Sequence, residues 1–175
     1  MRRLFALLFA LALCGAAAAD TPAHIAEHVK QARVAGQGSY TWFGLRIYDA
    51  ALWVGDEGYR SDAPYVLDLR YARKLDGVKI AEASADEMAK LGAGTGPQRA
   101  AWLARMKEIF PDVKEGTHIS GVFLPGAGAR FYLDGRPLAT VPDPEFARAF
   151  FAIWLDPKTS AAKLRTALLK DAGPR

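Results

Sequence analysis

Cysteine is nearly missing from this chain: Cys14 is its only one, and it lies in the first apolar stretch. Histidine is scarce too, at three residues. His24 and His28 are four apart and would share a helix face, but no third ligand stands nearby. No metal site is expected, and the two belong to an expected solvated terminal segment. There is no Gly-x-Ser-x-Gly, no His-Glu-x-x-His and no cysteine nucleophile beyond residue 14, so the common hydrolase signatures are excluded. Charge of one sign is not concentrated anywhere. The formal charge is +4, half of it from Arg2 and Arg3, and acids and bases alternate without a basic block. Nucleic acid is therefore not an expected partner. No internal repeat, low-complexity linker or second long apolar run is present, so no transmembrane segment is expected after the first twenty residues.

What is present begins with Met1-Arg-Arg, an apolar run from Leu4 to Leu13, and small residues from Ala16 to Ala19. That is the pattern of a secretory signal peptide over 1–19, with cleavage expected before Asp20 and a periplasmic destination. A lipoprotein anchor at Cys14 is the weaker alternative, because Leu13 stands where a lipobox wants a small residue. Residues 20–175 are expected to form a single domain with one core.

The chain is organised around Tyr40–Val54, which is aromatic and β-branched almost throughout. It reads as one long or bent central strand. Alternation puts Tyr40, Trp42, Arg46, Tyr48 and Leu52 on one face, and Phe43, Leu45, Ile47, Asp49 and Trp53 on the other. A guanidinium at Arg46 beside a phenol at Tyr48 suits a carboxylate or an enolate. The plainer reading is an Arg at the sheet margin and a core Tyr. Asp49 has Arg70 or Arg73 as an expected partner.

Before it, Ala32–Gly38 reads as a strand whose Gly36 and Gly38 permit close backbone approach. After it, Tyr65–Arg73 alternates as a strand with a wetter face at Asp68 and Arg70. Lys79–Leu91 and the Trp102–Phe110 segment are helices, separated by a glycine-rich stop. Strands are expected over Thr117–Leu124, Ala129–Leu133 and Leu138–Val141, the last two joined by an Asp134-Gly135 hairpin turn. Asp143-Pro144-Glu145 opens a helix with Phe146, Phe150, Phe151, Ile153 and Trp154. Thr159 or Ser160 caps a last helix. Ser160-Ala-Ala-Lys163 matches a serine acyltransferase pattern without its companions, and His118 stands beside Ser120 as a structural or solvated residue. Six strands and four helices, linked by hairpins, predict an α+β fold: an antiparallel sheet with helices packed on one face.

The order Gly36-Gln-Gly38, Phe43-Gly-Leu-Arg-Ile-Tyr48-Asp-Ala-Ala-Leu-Trp53, Phe110-Pro-Asp-Val, Gly121-Val-Phe-Leu-Pro-Gly, Gly128-Ala-Arg-Phe-Tyr132 and Pro144-Glu-Phe-Ala through Ser160 resembles the bacterial branch of the chalcone isomerase-like family. The resemblance implies that family's fold, with a ligand cleft between sheet and helices. Against the catalytic members, the strand Thr falls at Tyr48, the Arg after the Gly-x-Gly pair near Tyr40, and the late Thr near Ala152. The helix Tyr and Asn find no place. Chalcone isomerase activity is therefore not expected. The non-catalytic relatives bind fatty acids through an Arg and a Tyr on this strand. That implies a cleft with Arg46, Tyr48, Tyr40 and Trp42 as ligand contacts, and Leu52, Phe150 and Trp154 along an aliphatic tail. The expected function is binding of a small amphipathic molecule, a carboxylate or acyl compound, with no cofactor. The alternatives are an isomerase or lyase acting on an enone with Tyr48 as acid, base or oxyanion donor, and an envelope interaction module with a protein partner the sequence does not identify.

Overall fold

The computed structural model describes residues 21–175. The signal-peptide reading and Cys14 fall outside them. Six strands form one sheet in sequence order, every neighbouring pair antiparallel. They are β1 (Arg33–Trp42), β2 (Leu45–Val54), β3 (Tyr65–Tyr71), β4 (His118–Leu124), β5 (Gly128–Leu133) and β6 (Arg136–Val141). Five helices accompany them: α1 (Ala23–Ala26), α2 (Gly77–Lys90), α3 (Gly96–Ile109), α4 (Pro144–Leu155) and α5 (Ala162–Leu168). The expected α+β layering is present, with α1 as an addition.

The expected long strand is instead a hairpin. Trp42 pairs with Leu45, and Phe43 and Gly44 between them take φ of 47° and 75°. Two consecutive positive φ angles match the right-handed twist of the flanking strands. Gly44 is the sequence signal for this turn. The second two-residue hairpin, Asp134-Gly135 with φ of 49° and 79°, falls where the sequence puts it.

The β1–β2 pairing contains a further irregularity. Tyr40 faces Tyr48, but the next residue, Thr41, faces Arg46. Ile47 is the extra residue of a bulge, and a bulge reverses the alternation beyond it. This small feature decides which side chains enter the site.

Helices are fixed by their ends. Thr95 and Gln98 form a reciprocal capping box on α3, with Pro97 in the first turn. Asp143 caps α4 by accepting from the Glu145 and Phe146 amides at 2.9 and 3.0 Å. Its other carboxylate oxygen accepts from the Trp102 indole at 2.8 Å, tying α3 to α4. Asp112 accepts from the Gly77 amide at 2.9 Å, so α2 is capped from outside its own sequence. The last helix starts at Ala162 and has no side-chain cap; Thr159 accepts from Ala161 just before it, and Ser160 turns to Glu87 instead.

The main core lies between the sheet and the helices following β3. Phe131, Phe146, Phe150, Phe151 and Trp154 all lie buried in it. Burying each such side chain contributes roughly 1.5–3 kcal/mol. On β1, Gly36 and Gly38 lie under α5, where a Cβ on Gly36 would be 2.1 Å from the Ala167 carbonyl oxygen. The opposite sheet face is covered by the segment around α1. Ile25 and Val29 are buried there against Val66, Val122 and Tyr132. The terminal segment is therefore packed rather than solvated.

Candidate functional site

A cavity of about 490 Å³ separates the sheet from α2 and α4. That size lies within the range of small-molecule sites. Its sheet side is built by Tyr48 on β2, Leu69 and Tyr71 on β3, and Ile119 on β4. Its helical side is built by Ile80 and Ser84 of α2 and by Phe150, Ile153 and Trp154 of α4. The bulk of these residues follow from strand alternation on β2 and β3 and from the apolar stripe of α4. Ser84 turns its hydroxyl back to the Ile80 carbonyl at 2.8 Å, so it offers little polarity to the interior.

Three tyrosines run side by side across three strands. Tyr40 on β1 pairs with Tyr48 on β2, which pairs with Tyr71 on β3. Tyr40 and Tyr48 stack with centroids 5.1 Å apart, and Tyr48 meets Tyr71 edge-on at 6.0 Å. The Tyr48 hydroxyl accepts a hydrogen bond from the Trp154 indole at 2.9 Å. Its own proton remains available to donate. Tyr71 is only 4% exposed, yet its hydroxyl bonds to no other described side chain or backbone group. Burial pushes both phenols well above their usual pKa, so both stay protonated. They are hydrogen-bond donors, suited to an oxygen on a ligand or to a developing oxyanion. Neither is suited to abstracting a proton at neutral pH. The sequence identified the face of Tyr71 but not its role, because an unsatisfied hydroxyl is a property of the packing.

The polar groups gather at the entrance. Lys79, Asp86, Glu87, Lys90 and Ser160 line it together with the half-exposed Tyr40 and the exposed Trp42. Both lysines already hold a carboxylate. Lys79 donates to Glu82 at 2.9 Å and Lys90 to Glu87 at 2.7 Å. Glu82, hydrogen-bonded by Lys79 and also by Lys107, is held down to about 2. The Ser160 hydroxyl donates to Glu87 at 2.5 Å, which leaves no activated serine in the Ser-x-x-Lys segment.

Tyr40, Trp42 and Tyr48 thus line the cavity, and Arg46 does not. The Ile47 bulge carries Arg46 to the opposite side, where its side chain is 59% exposed and lies 3.7 Å from Asp49. Asp49 also accepts from Ser39 at 2.6 Å, so its partners are Arg46 and Ser39 rather than Arg70 or Arg73. Strict alternation across Arg46 and Tyr48 fails because one residue was inserted between them. Leu52, expected along the ligand tail, is buried in the core and does not line the cavity.

A second polar cluster sits on the other face. Ser120, 1% exposed, donates to Asp68 at 2.6 Å and accepts from His24 at 2.9 Å, while His118 lies 3.1 Å from the same carboxylate. His28 and the Tyr132 hydroxyl lie 2.7 Å apart. With its proton committed to Asp68, Ser120 is not a nucleophile. The cluster fastens the α1 segment to β4 and β5. Among the described residues no group of His, Cys, Asp or Glu has the arrangement of a metal site.

Comparison with known proteins adds three findings. The family profile described as chalcone isomerase-like matches residues 16–170. An uncharacterized protein of Haemophilus influenzae is 29% identical over 135 residues, covering 77% of this chain and 66% of that protein. The chain thus spans just under two thirds of that relative. Among solved structures, the crystal structure of the Arabidopsis thaliana fatty-acid binding protein AtFAP1 superposes with a TM-score of 0.64. The two are 13% identical, and the match covers 82% of this chain and 89% of that one. At that identity the likeness is one of fold.

Proposed function

The chain belongs to the chalcone isomerase-like family, and on that premise we propose that it is a non-catalytic carrier of a small amphipathic molecule bearing an acyl or similar apolar tail. The observation that carries this reading is the cavity of about 490 Å³ lined by Leu69, Ile119, Phe150 and Ile153, with two phenol donors on its sheet side. An apolar interior with a few convergent donors is the composition of a ligand site. The fold it shares with AtFAP1, a fatty-acid binding protein, supports the same reading. Export to the periplasm, with residues 1–19 removed and 20–175 acting as one domain, belongs to this proposal and rests on the sequence pattern.

Native mass spectrometry of freshly purified protein tests the binding. An adduct in the mass range of an acyl lipid, lost on delipidation and restored by a fatty acid or fatty alcohol, is the expected result. A protein that leaves the cells without adduct and takes up neither compound would overturn it. Sequencing the amino terminus of protein from the periplasmic fraction tests export, with Asp20 expected first.

A second reading has one feature in its favour. The β1–β2 hairpin tip exposes Trp42 at 61%, Phe43 at 85% and Leu45 at 50%. Such a patch suits an interaction module. Serine at Phe43 and Leu45, neither of which lines the cavity, would abolish partner capture under that reading and leave acyl binding in place.

A further inference from the structure

The polarity of the cavity says more about the ligand's head than about its tail. No Arg, Lys or His stands among the residues of the sheet and of α4 that form its interior. Arg46, two residues from Tyr48, is on the opposite side of the sheet. Lys79 and Lys90 stand at the entrance with Glu82 and Glu87 on them, and Asp86 adds a further negative charge there. An anionic head drawn inside would meet no cation, and one held at the entrance would share each lysine with the carboxylate already on it. Burying an unpaired carboxylate costs several kcal/mol, whereas an uncharged oxygen needs only its hydrogen bonds replaced.

The interior does supply those bonds. Tyr71 is buried with an unpartnered hydroxyl, and Tyr48, whose oxygen already accepts from Trp154, has its proton to give. The two residues are direct cross-strand neighbours with rings 6.0 Å apart. Their hydroxyls are donors without acceptors, on one wall of an apolar space. An ester carbonyl or an ether or alcohol oxygen fits that pair.

We propose that the cavity selects amphiphiles whose head is an uncharged hydrogen-bond acceptor held by the Tyr48 and Tyr71 hydroxyls, in preference to the corresponding carboxylates. This rests on the ligand-binding reading above. Burial keeps both phenols protonated, so the selection holds across neutral and mildly alkaline pH.

The test is a matched series: methyl laurate, 1-dodecanol and laurate, each titrated at pH 8 into the delipidated full-length protein below the critical micelle concentration, with tryptophan fluorescence as the readout. The two uncharged compounds are expected to bind about tenfold or more tightly than laurate. In Tyr71→Phe the preference is expected to shrink to about threefold or less with the melting temperature unchanged, because the hydroxyl removed bonds to nothing in the protein. Laurate binding as tightly as methyl laurate would overturn the proposal, as would a Tyr71→Phe variant with its preference intact. Failure of all three compounds to bind would instead refute the ligand-binding reading itself.

Discussion

Trp154 on α4 donates its indole N–H to the Tyr48 hydroxyl on β2 at 2.9 Å, bridging helix and sheet at the edge of the cavity. This contact fixes the direction in which the phenol can donate. It also makes Tyr48 part of the fold as well as part of the site. Tyr48→Phe leaves the indole donor without its partner, and a loss of about 1 kcal/mol in stability is expected. Methyl laurate binding is expected to weaken about fivefold. Denaturant unfolding and the fluorescence titration read the two effects separately, and a variant unchanged in both would remove Tyr48 from the site.

Arg46 offers the opposite expectation. Its ion pair with Asp49 is exposed and long, at 3.7 Å, and such pairs contribute about 0–1 kcal/mol. Arg46→Ala should leave acyl binding within about twofold of wild type and stability within about 0.5 kcal/mol. A large loss of binding in this variant would mean that the guanidinium reaches the ligand after all.

The contrast between these two neighbours marks where the sequence was readable. Asp134-Gly135 and Asp143-Pro144 were legible because turn and cap chemistry is local. The face shared by Tyr48, Ala50 and Leu52 was legible because the alternation there is unbroken. Two short-range events defeated the same rule a few residues earlier. A positive-φ turn at Phe43-Gly44 split the expected strand, and the extra Ile47 moved Arg46 off the face of Tyr48. Phe43 and Ile47 are residue types of an uninterrupted strand, and Gly44 alone marks the turn. Tyr71 escaped for another reason: whether a hydroxyl finds a partner depends on how α2 and α4 pack over the sheet, which no local pattern states. The packing of His24 and His28 onto β4 and β5 was equally invisible, since Ser120 and Tyr132 lie about a hundred residues downstream.

The seam between α5 and β1 gives a ranked prediction. A Cβ on Gly36 would meet the backbone carbonyl oxygens of Ala167 and Leu168 at 2.1 and 2.5 Å, contacts that only a shift of α5 relieves. On Gly38 it would meet the Ala167 Cβ and the Leu164 Cδ1 at 2.9 and 3.0 Å, a milder clash in which the end of Leu164 can give way. At Gly96 it would meet nothing. Gly36→Ala should therefore cost about 3 kcal/mol and Gly38→Ala about 1 kcal/mol. Gly96→Ala, in the first turn of α3, should be neutral or slightly stabilising. Chemical denaturation of the three variants checks the order, and equal losses at Gly36 and Gly96 would contradict the close seam.

The histidines on the opposite face predict how stability varies with pH. Burial lowers the pKa of both His24 and His28 below the ordinary value of 6.5. Asp68 and Glu27 oppose that shift, whereas His118 and His28 around His24, and Arg130 around His28, add to it. Below about pH 6.5 the unfolded chain takes up protons that the folded chain still refuses. Stability is thus fully present above pH 6.5 and is lost as pH falls through the lower folded values. The melting temperature should drop by a few degrees between pH 7.5 and pH 5.5. In a His24→Gln, His28→Gln double variant the drop should be smaller, since neither replacement can be protonated. An identical drop in both proteins would assign the effect to other groups and leave the α1 segment without a pH-dependent fastening.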